Sequence, residues 1–438
     1  MKRGFYVIMA AQFFSSLADN ALLIAAIALL RDVQAPGWMT PMLKLFFVFS
    51  YVALAAFVGA FADSFPKARV MFITNLIKIG GCMMMFLGAH PLLSYAVVGF
   101  GAAAYSPAKY GIVTELLPPE KLVAANGWIE GLTVSSIILG FLIGGVLIDK
   151  NVSAWLLAHD FPIFDTGIDL PAEAAIAVIV WLYVLAAGIN LLIADTGARY
   201  AKQHTHPWKL LVGFVHCCTV LWRDKLGQIS LAVTTLFWGA GATLQFIVLK
   251  WAETVLGMEL ARAAILQAVV AVGITIGAVY AAATVSLKKA MNVLPVGVAM
   301  GMIVAGAAFY TPEIAPAGSI TVGALTASYF LLIACAILVS IGLLAGYFVV
   351  PMNALLQHRG HVLLSAGHSI AVQNFNENLS ILLMLSLYAV LIWFDLKLQT
   401  VMLLFGLFVA ASMLLVLMRH QFNQRQFDSV ALIGEVTH

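Results

Sequence analysis

The sequence predicts an all-α integral membrane protein, with twelve transmembrane helices in two pseudo-symmetric six-helix bundles. Three observations carry that expectation. Of 438 residues, 63% are hydrophobic and only 10% charged, a balance that a water-soluble domain does not reach. Apolar runs of about 20 residues, long enough to cross a bilayer, recur twelve times. The two halves also echo one another: Pro107 aligns with Pro351, Lys109 with Asn353 and Glu115 with Arg359. In each half an amide then precedes a glutamate by four residues, Asn126 and Glu130 in the first, Gln373 and Glu377 in the second. Paired halves with proline-interrupted helices are a secondary-transporter pattern.

In order, the spans are 5–30, 41–62, 69–88, 92–116, 123–149, 173–195, 227–254, 261–285, 290–310, 321–356, 363–394 and 398–419. Met1-Lys2-Arg3 before an apolar run mimics a secretion signal. The run resumes after Asp19-Asn20 and reaches Leu30, too long for a cleaved segment, so it reads as an uncleaved first span. The long link after span six divides the chain into a bundle over 1–195, a cytoplasmic linker over 196–226, a second bundle over 227–420 and a tail over 421–438. In the linker, Leu210, Phe214, Cys218 and Leu221 recur at helical spacing beside Trp208, Lys209, Trp222 and Arg223. That pattern suits a helix lying on the inner leaflet, or a plain linker helix. The longest outer loop, 150–172, carries Asp160, Asp165 and Asp169 and no evident chemistry.

Orientation follows from the basic loops. With the N-terminus inside, fifteen Lys and Arg fall on the cytoplasmic side and five on the other, which places both termini in the cytoplasm. The four cysteines have no metal-ligand spacing, and no glycine-rich phosphate loop with lysine and serine or threonine is present. A transporter rather than an enzyme is expected, with no cofactor, no metal and no nucleic-acid partner.

The charges within spans are the functional candidates, because an ionisable group in hydrocarbon is costly. Asp19 lies midway along span one, on a side shared with Gln12, Ser15 and Ser16 and next to Asn20. Lys78 lies in span three. Lys109 follows Tyr105 and Pro107 in span four and could pair with Glu130 in span five. Span seven carries Gln245, Lys250 and Glu253, and span eleven Gln373, Asn374, Glu377 and Asn378. For each, the plainer reading is a buried pair or helix-to-helix hydrogen bond.

Between spans two and three, Gly59-Ala60-Phe61-Ala62-Asp63-Ser64-Phe65-Pro66-Lys67-Ala68-Arg69 resembles the G-x-x-x-D-x-x-x-x-R loop of the major facilitator superfamily. That resemblance implies a gating loop in which Asp63, Arg69 and Glu115 pair charges. Further runs point to one family within it. Asp19-Asn20-Ala21-Leu22-Leu23, the stretch Gly101 to Gly111 and Phe237-Trp238-Gly239-Ala240-Gly241 carry the likeness. So do Val349 to Gln357 and Ala371 to Asn378. Together these are similar to the bacterial lysophospholipid transporters.

The resemblance implies inward movement of 2-acyl-glycerophosphoethanolamine and related lyso-lipids across the bacterial inner membrane, by facilitated diffusion. It implies a flippase serving phospholipid remodelling; a monomer is expected. A cytoplasmic-side acyltransferase/acyl-carrier-protein synthetase would restore the second chain. It assigns Asp19 and Lys109 to the polar centre of the pathway. The chain departs from the pattern where Gln245 stands in place of an arginine in span seven.

A single acyl chain prefers the bilayer by about 0.8 kcal/mol per CH2, so only the zwitterionic headgroup needs carrying. On this reading Lys109 attracts the phosphate, Asp19 the ammonium, and Gln245, Gln373 and Asn374 the glycerol and ester. Tyr105, Asn20, Asn353 and Glu377 complete the substrate contacts. Asp63, Arg69, Glu115, Glu130 and Lys78 form the gating and charge-relay set. The alternatives are a proton-coupled exporter of amphiphilic drugs, with Asp19, Glu130 or Glu377 as proton carrier, and a non-transporting scaffold for the acyltransferase.

Overall fold

The computed structural model describes residues 3–58, 61, 65–116, 119–158, 170–194, 196–197, 206–314, 316–322, 325–364 and 366–428. Each predicted span has its helix. They are α1 (Arg3–Asp32), α2 (Met39–Ala53), α3 (Lys67–Phe86), α4 (Pro91–Leu116), α5 (Pro119–Leu147), α7 (Pro171–Leu191), α9 (Gly227–Thr254), α10 (Leu260–Thr284), α11 (Leu294–Ala307), α12 (Tyr329–Leu363), α13 (Ala366–Trp393) and α14 (Leu398–Gln426). Two more lie outside the spans: α6 (Lys150–Ala158) in the 150–172 loop, and α8 (Pro207–Arg223) in the linker. A 3-10 turn, Leu287–Val293, leads into α11.

Helix is the form these runs must take in hydrocarbon, because it satisfies every interior backbone group within the segment. Among the described residues, nine helices are long and apolar enough to cross a membrane, and a tenth counts if α5 and α6, bent by 67° at their junction, form one span. α2 is short at 15 residues, and the polar run around Lys109 dilutes the hydropathy of α4.

Three features differ from the sequence reading. Span ten does not begin at 321: β1 (Ser319–Val322) pairs antiparallel with β2 (Leu325–Ser328), Ser319 opposite Ser328, and α12 starts after it. Alternating Ile320, Thr321 and Val322 favour a strand, and the Ser328 hydroxyl then caps α12 by accepting from Leu331 N–H at 3.2 Å. Neither proline breaks its helix; α4 runs through Pro107 and α12 through Pro351. A proline removes one donor, and its flanking residues still form the rest of the ladder. Finally, loop 150–172 begins with a helix rather than coil.

The chain folds as two compact units. Unit 1 is Met1–Leu210 with Leu260–Ile265, and unit 2 is Leu211–Glu259 with Leu266–His438. In unit 1, α1 packs on α5 and α7, α3 on α4 and α7, and α2 on α4. In unit 2, α9 packs on α13 and α14, and α11 on α12 and α14. α10 meets α12 through small residues. Gly273 and Gly277 face Gly342 and Gly346 so closely that a Cβ on Gly277 would strike the Leu343 carbonyl and one on Gly346 the Ile274 carbonyl. Such small-xxx-small pairs let backbones touch where no hydrophobic drive separates helix from lipid. Equivalent helices therefore meet in both units, which is the internal repeat seen as packing.

Within unit 1, Phe5, Ile8 and Met9 of α1 pack with Val70 and Met71 of α3, Tyr105, Ala108, Ile112 and Val113 of α4, and Ile129 of α5. This apolar layer closes one end of a polar centre built on the next turns of α1.

Candidate functional site

The polar centre of unit 1 is an ion pair. Lys78 Nζ of α3 donates to Asp19 Oδ2 of α1 at 2.8 Å. Lys78 is 1% exposed and Asp19 18%. The second carboxylate oxygen, Oδ1, accepts from the Tyr183 hydroxyl of α7 at 2.7 Å. The Asp19 backbone carbonyl accepts from Tyr95 of α4 at 3.2 Å. Lys78 also donates to Ser15 Oγ at 3.0 Å, and Ser15 in turn donates to Asn75 Oδ1 at 2.7 Å. The ammonium lies 5.2 Å from the centre of the Tyr105 ring and 5.6 Å from that of Tyr183, within cation–π range. Gly101 makes room for this lysine: a Cβ there would come within 2.8 Å of Lys78 Cγ. Four helices thus hold one buried pair, with aromatic faces on the cation.

Unit 1 also buries polar atoms with no partner. Gln12 Oε1, Asn75 Nδ2, the Tyr105 hydroxyl and both amide atoms of Asn190 are buried without a hydrogen bond of good geometry, although Tyr105 and Asn190 lie side by side. Unsatisfied buried groups are costly and so mark places that water or a polar ligand fills.

The predicted residues distribute as follows. Asp19, Lys78 and Tyr105 come together. Asn20 donates to Ser16 O of its own helix at 2.8 Å. Gln12 and Ser16 face α5 rather than the pair, Gln12 donating to Ile129 O at 3.2 Å and Ser16 accepting from Ser136 at 2.8 Å. Lys109 lies one turn beyond Tyr105 on the same face of α4, with its ammonium 4.4 Å from the Tyr110 ring centre. Asp63 and the side chains of Glu115 and Glu130 lie outside the described residues, so the expected Lys109–Glu130 pair does too. Arg69 is exposed. Lys67, 4% exposed, lies across Gly111 of α4 instead.

Unit 2 has its own constellation. Gln373 Nε2 of α13 donates to Asn353 Oδ1 of α12 at 3.2 Å and to Glu377 Oε1 one turn on at 2.7 Å. Asn374 accepts from Asn378 through its backbone carbonyl. Gln245 of α9 accepts from Gln267 of α10 through its carbonyl at 2.8 Å, while its own Nε2 is buried without a partner. Where α9 begins, Arg359 makes a two-point contact with Asp224, Nη2 to Oδ2 at 2.7 Å and Nε to Oδ1 at 3.1 Å. The same Asp224 caps α9 by accepting from Gly227 N–H at 2.7 Å.

Sequence reasoning did not single out Asn75, Tyr95, Tyr183 or Asn190. Tyrosines inside apolar runs read as core, and only the pairing of α1 with α3 and α7 reveals them. Asn75 had a signal: it lies three residues before Lys78, on the same side of a helix.

Chemically, the centre offers one cation and one anion a single hydrogen bond apart, several amide and hydroxyl groups, and apolar walls. Among the described residues it has no nucleophile–base pair.

A profile described as the Major Facilitator Superfamily matches residues 8–384. The lysophospholipid transporter LplT of Yersinia enterocolitica serotype O:8 / biotype 1B is 40% identical over 90% of this chain and 88% of its own. The LplT of Serratia proteamaculans is 41% identical over 89% and 88%. Among solved structures, a bacterial homolog of the human lysosomal transporter Spinster, inward-facing and unoccupied, aligns with a TM-score of 0.62 at 14% identity, covering 97% of this chain and 99% of that one. The nucleoside transporter NupG aligns at 0.66 and 11% identity, covering 96% and 100%. At such identities the structures share the fold alone.

Proposed function

The chain belongs to the Major Facilitator Superfamily and, within it, to the lysophospholipid transporters, and from that premise we propose that it carries 2-acyl-glycerophosphoethanolamine and related lyso-lipids inward across the bacterial inner membrane by facilitated diffusion. Both termini lie in the cytoplasm on this reading, the protein works as a monomer, and a cytoplasmic acyltransferase/acyl-carrier-protein synthetase consumes the product.

The observation that carries the proposal is the Asp19–Lys78 pair, 2.8 Å apart among four helices. A zwitterionic headgroup bears the same two charges. It can exchange with the pair, its phosphate drawn to Lys78 and to Lys109 one turn beyond Tyr105, its ammonium to Asp19. Opposite charges remain paired before and after, so the exchange avoids leaving either protein charge alone in a dry site, the situation that is expensive. Tyr183 keeps a donor on the carboxylate as Lys78 moves. Tyr105, Asn20, the unpartnered Nδ2 of Asn75 and the amide of Asn190 are available to phosphate and glycerol oxygens. In unit 2, Asn353, Gln373, Asn374, Glu377 and Gln245 are the hydrogen-bonding groups for the glycerol and ester. Asp63, Arg69, Glu115 and Glu130 serve as the gating charges. The acyl chain stays in the bilayer, where each CH2 is favoured by about 0.8 kcal/mol.

Lys109→Ala tests the phosphate assignment. Uptake of labelled 2-acyl-glycerophosphoethanolamine into spheroplasts should be lost while the protein remains in the membrane at its normal level. Normal uptake would remove Lys109 from the site.

A further inference from the structure

We propose that α8 is an anionic-lipid seat: it lies in the membrane interface with an apolar stripe in the acyl region and a basic stripe, Lys209, His216 and Arg223, against anionic phospholipid headgroups. The inference rests on the membrane reading above but not on the substrate.

α8 presents three faces. At about 100° per residue, Phe214, Cys217, Cys218 and Leu221 fall together. They pack on Leu231, Leu356, Leu363 and Val372 of unit 2, with the Phe214 and Phe375 rings edge to face at 5.2 Å. A second arc, Trp208, Leu211, Val212, Val215 and Trp222, is exposed, with only the indole N–H of Trp222 engaged among the described residues. Trp208 is 66% exposed and Val215 55%. Lys209, His216 and Arg223 recur every seventh residue and so form a third stripe, all exposed. It flanks the apolar arc and points away from the docked face.

A linker helix that merely spans two bundles needs no second apolar arc. One that meets a soluble partner needs no basic edge limited to one flank. The combination of an apolar stripe bordered by the cations Lys209 and Arg223 is the pattern of a helix lying in the headgroup boundary of an anionic leaflet. The seat is also tied to the transporter. Trp222 Nε1 donates to Asn376 Oδ1 at 3.0 Å, next in sequence to Glu377, and the Asp224–Arg359 contact pins the chain just beyond α8.

The test uses a chain freed of its native cysteines, with a fluorophore on Val212→Cys or on Gly213→Cys. Position 213 is open, with nothing near an added Cβ, and faces away from the apolar arc. In vesicles of phosphatidylethanolamine and phosphatidylglycerol, lipids spin-labelled near the headgroup should quench the probe at 212 at least about twofold more than at 213. Omitting phosphatidylglycerol, or adding Lys209→Glu with Arg223→Glu, should reduce that difference at least twofold. Equal quenching at the two positions, or quenching indifferent to anionic lipid, would overturn the proposal. If the cysteine-free chain does not fold, hydrogen exchange of the unmodified chain in nanodiscs gives the same decision. Amides of 208–216 should be protected by phosphatidylglycerol, and no change would count against the seat. Lyso-lipid uptake measured on the same vesicles separates this outcome from failure of the transport reading.

Discussion

Replacing Asp19 by asparagine leaves the ammonium of Lys78, 1% exposed, without its counter-ion. At 2.8 Å and an effective dielectric of about 20, the lost attraction is roughly 6 kcal/mol. Desolvation of both partners offsets part of it, and removing one member of a buried pair costs about 3–5 kcal/mol in measured cases. The partial exposure of Asp19 places this one at about 3 kcal/mol, or roughly 6–12 °C in the melting temperature of a unit this size. Lys78→Gln should cost a similar amount. The double variant, Asp19→Asn with Lys78→Gln, removes both charges and leaves amides that can bond to each other, to Ser15 and to Tyr183. Its stability should recover most of the loss. The assay is a double-mutant cycle read twice, by thermal unfolding in detergent and by lyso-lipid uptake at matched membrane levels. Recovered stability with uptake still absent is the expected result, because a neutral pair cannot exchange with a zwitterion. A double variant that transports at the normal rate would reduce the pair to helix glue and refute the exchange.

Three further outcomes follow from the packing. Gly277→Leu drives a side chain into the Leu343 carbonyl, and should lower thermal stability by more than the about 1–3 kcal/mol of ordinary overpacking, since backbone cannot yield as a side chain does; an unchanged melting curve would contradict the close crossing of α10 and α12. Asp224→Asn leaves the 3% exposed Arg359 half-paired and removes a charged cap from α9. It should cost on the order of 3 kcal/mol and open the stretch around 224 to protease, and an undigested, equally stable variant would argue against the latch. Burial and the neighbouring Cys217 push the Cys218 thiol up to about 11. Its thiolate, the reactive form, should therefore keep increasing about tenfold per pH unit past pH 9, and an alkylation rate that levels off near pH 9 would show the docked face of α8 to be open.

The spans were legible because a helix in hydrocarbon is forced by run length alone, with no tertiary information needed. The hairpin before α12 was missed for the same reason: Ser319 to Ser328 is apolar enough to extend a span, and only its two-residue alternation argues otherwise. Lys109 and Lys78 were both visible as lysines inside apolar runs, but their ranking was not. Nothing in a single helix's period says that α3 lies against α1, so the partner of Asp19 cannot be read from spacing. Tyr183 and Asn190, two turns apart on α7, look like core and like a stray amide until the neighbouring helices surround them. The linker's helical spacing was visible, yet the docked and exposed apolar faces of α8 could not be told apart without the surface of unit 2.

The most direct test of the central claim is inward movement of labelled 2-acyl-glycerophosphoethanolamine in spheroplasts lacking their own transporter, with and without an uncoupler. Uptake that needs this protein and survives the uncoupler is the predicted result, for a headgroup exchanging with a neutral ion pair requires no proton gradient. Uptake that collapses with the gradient, or none from protein shown to be inserted, would contradict it.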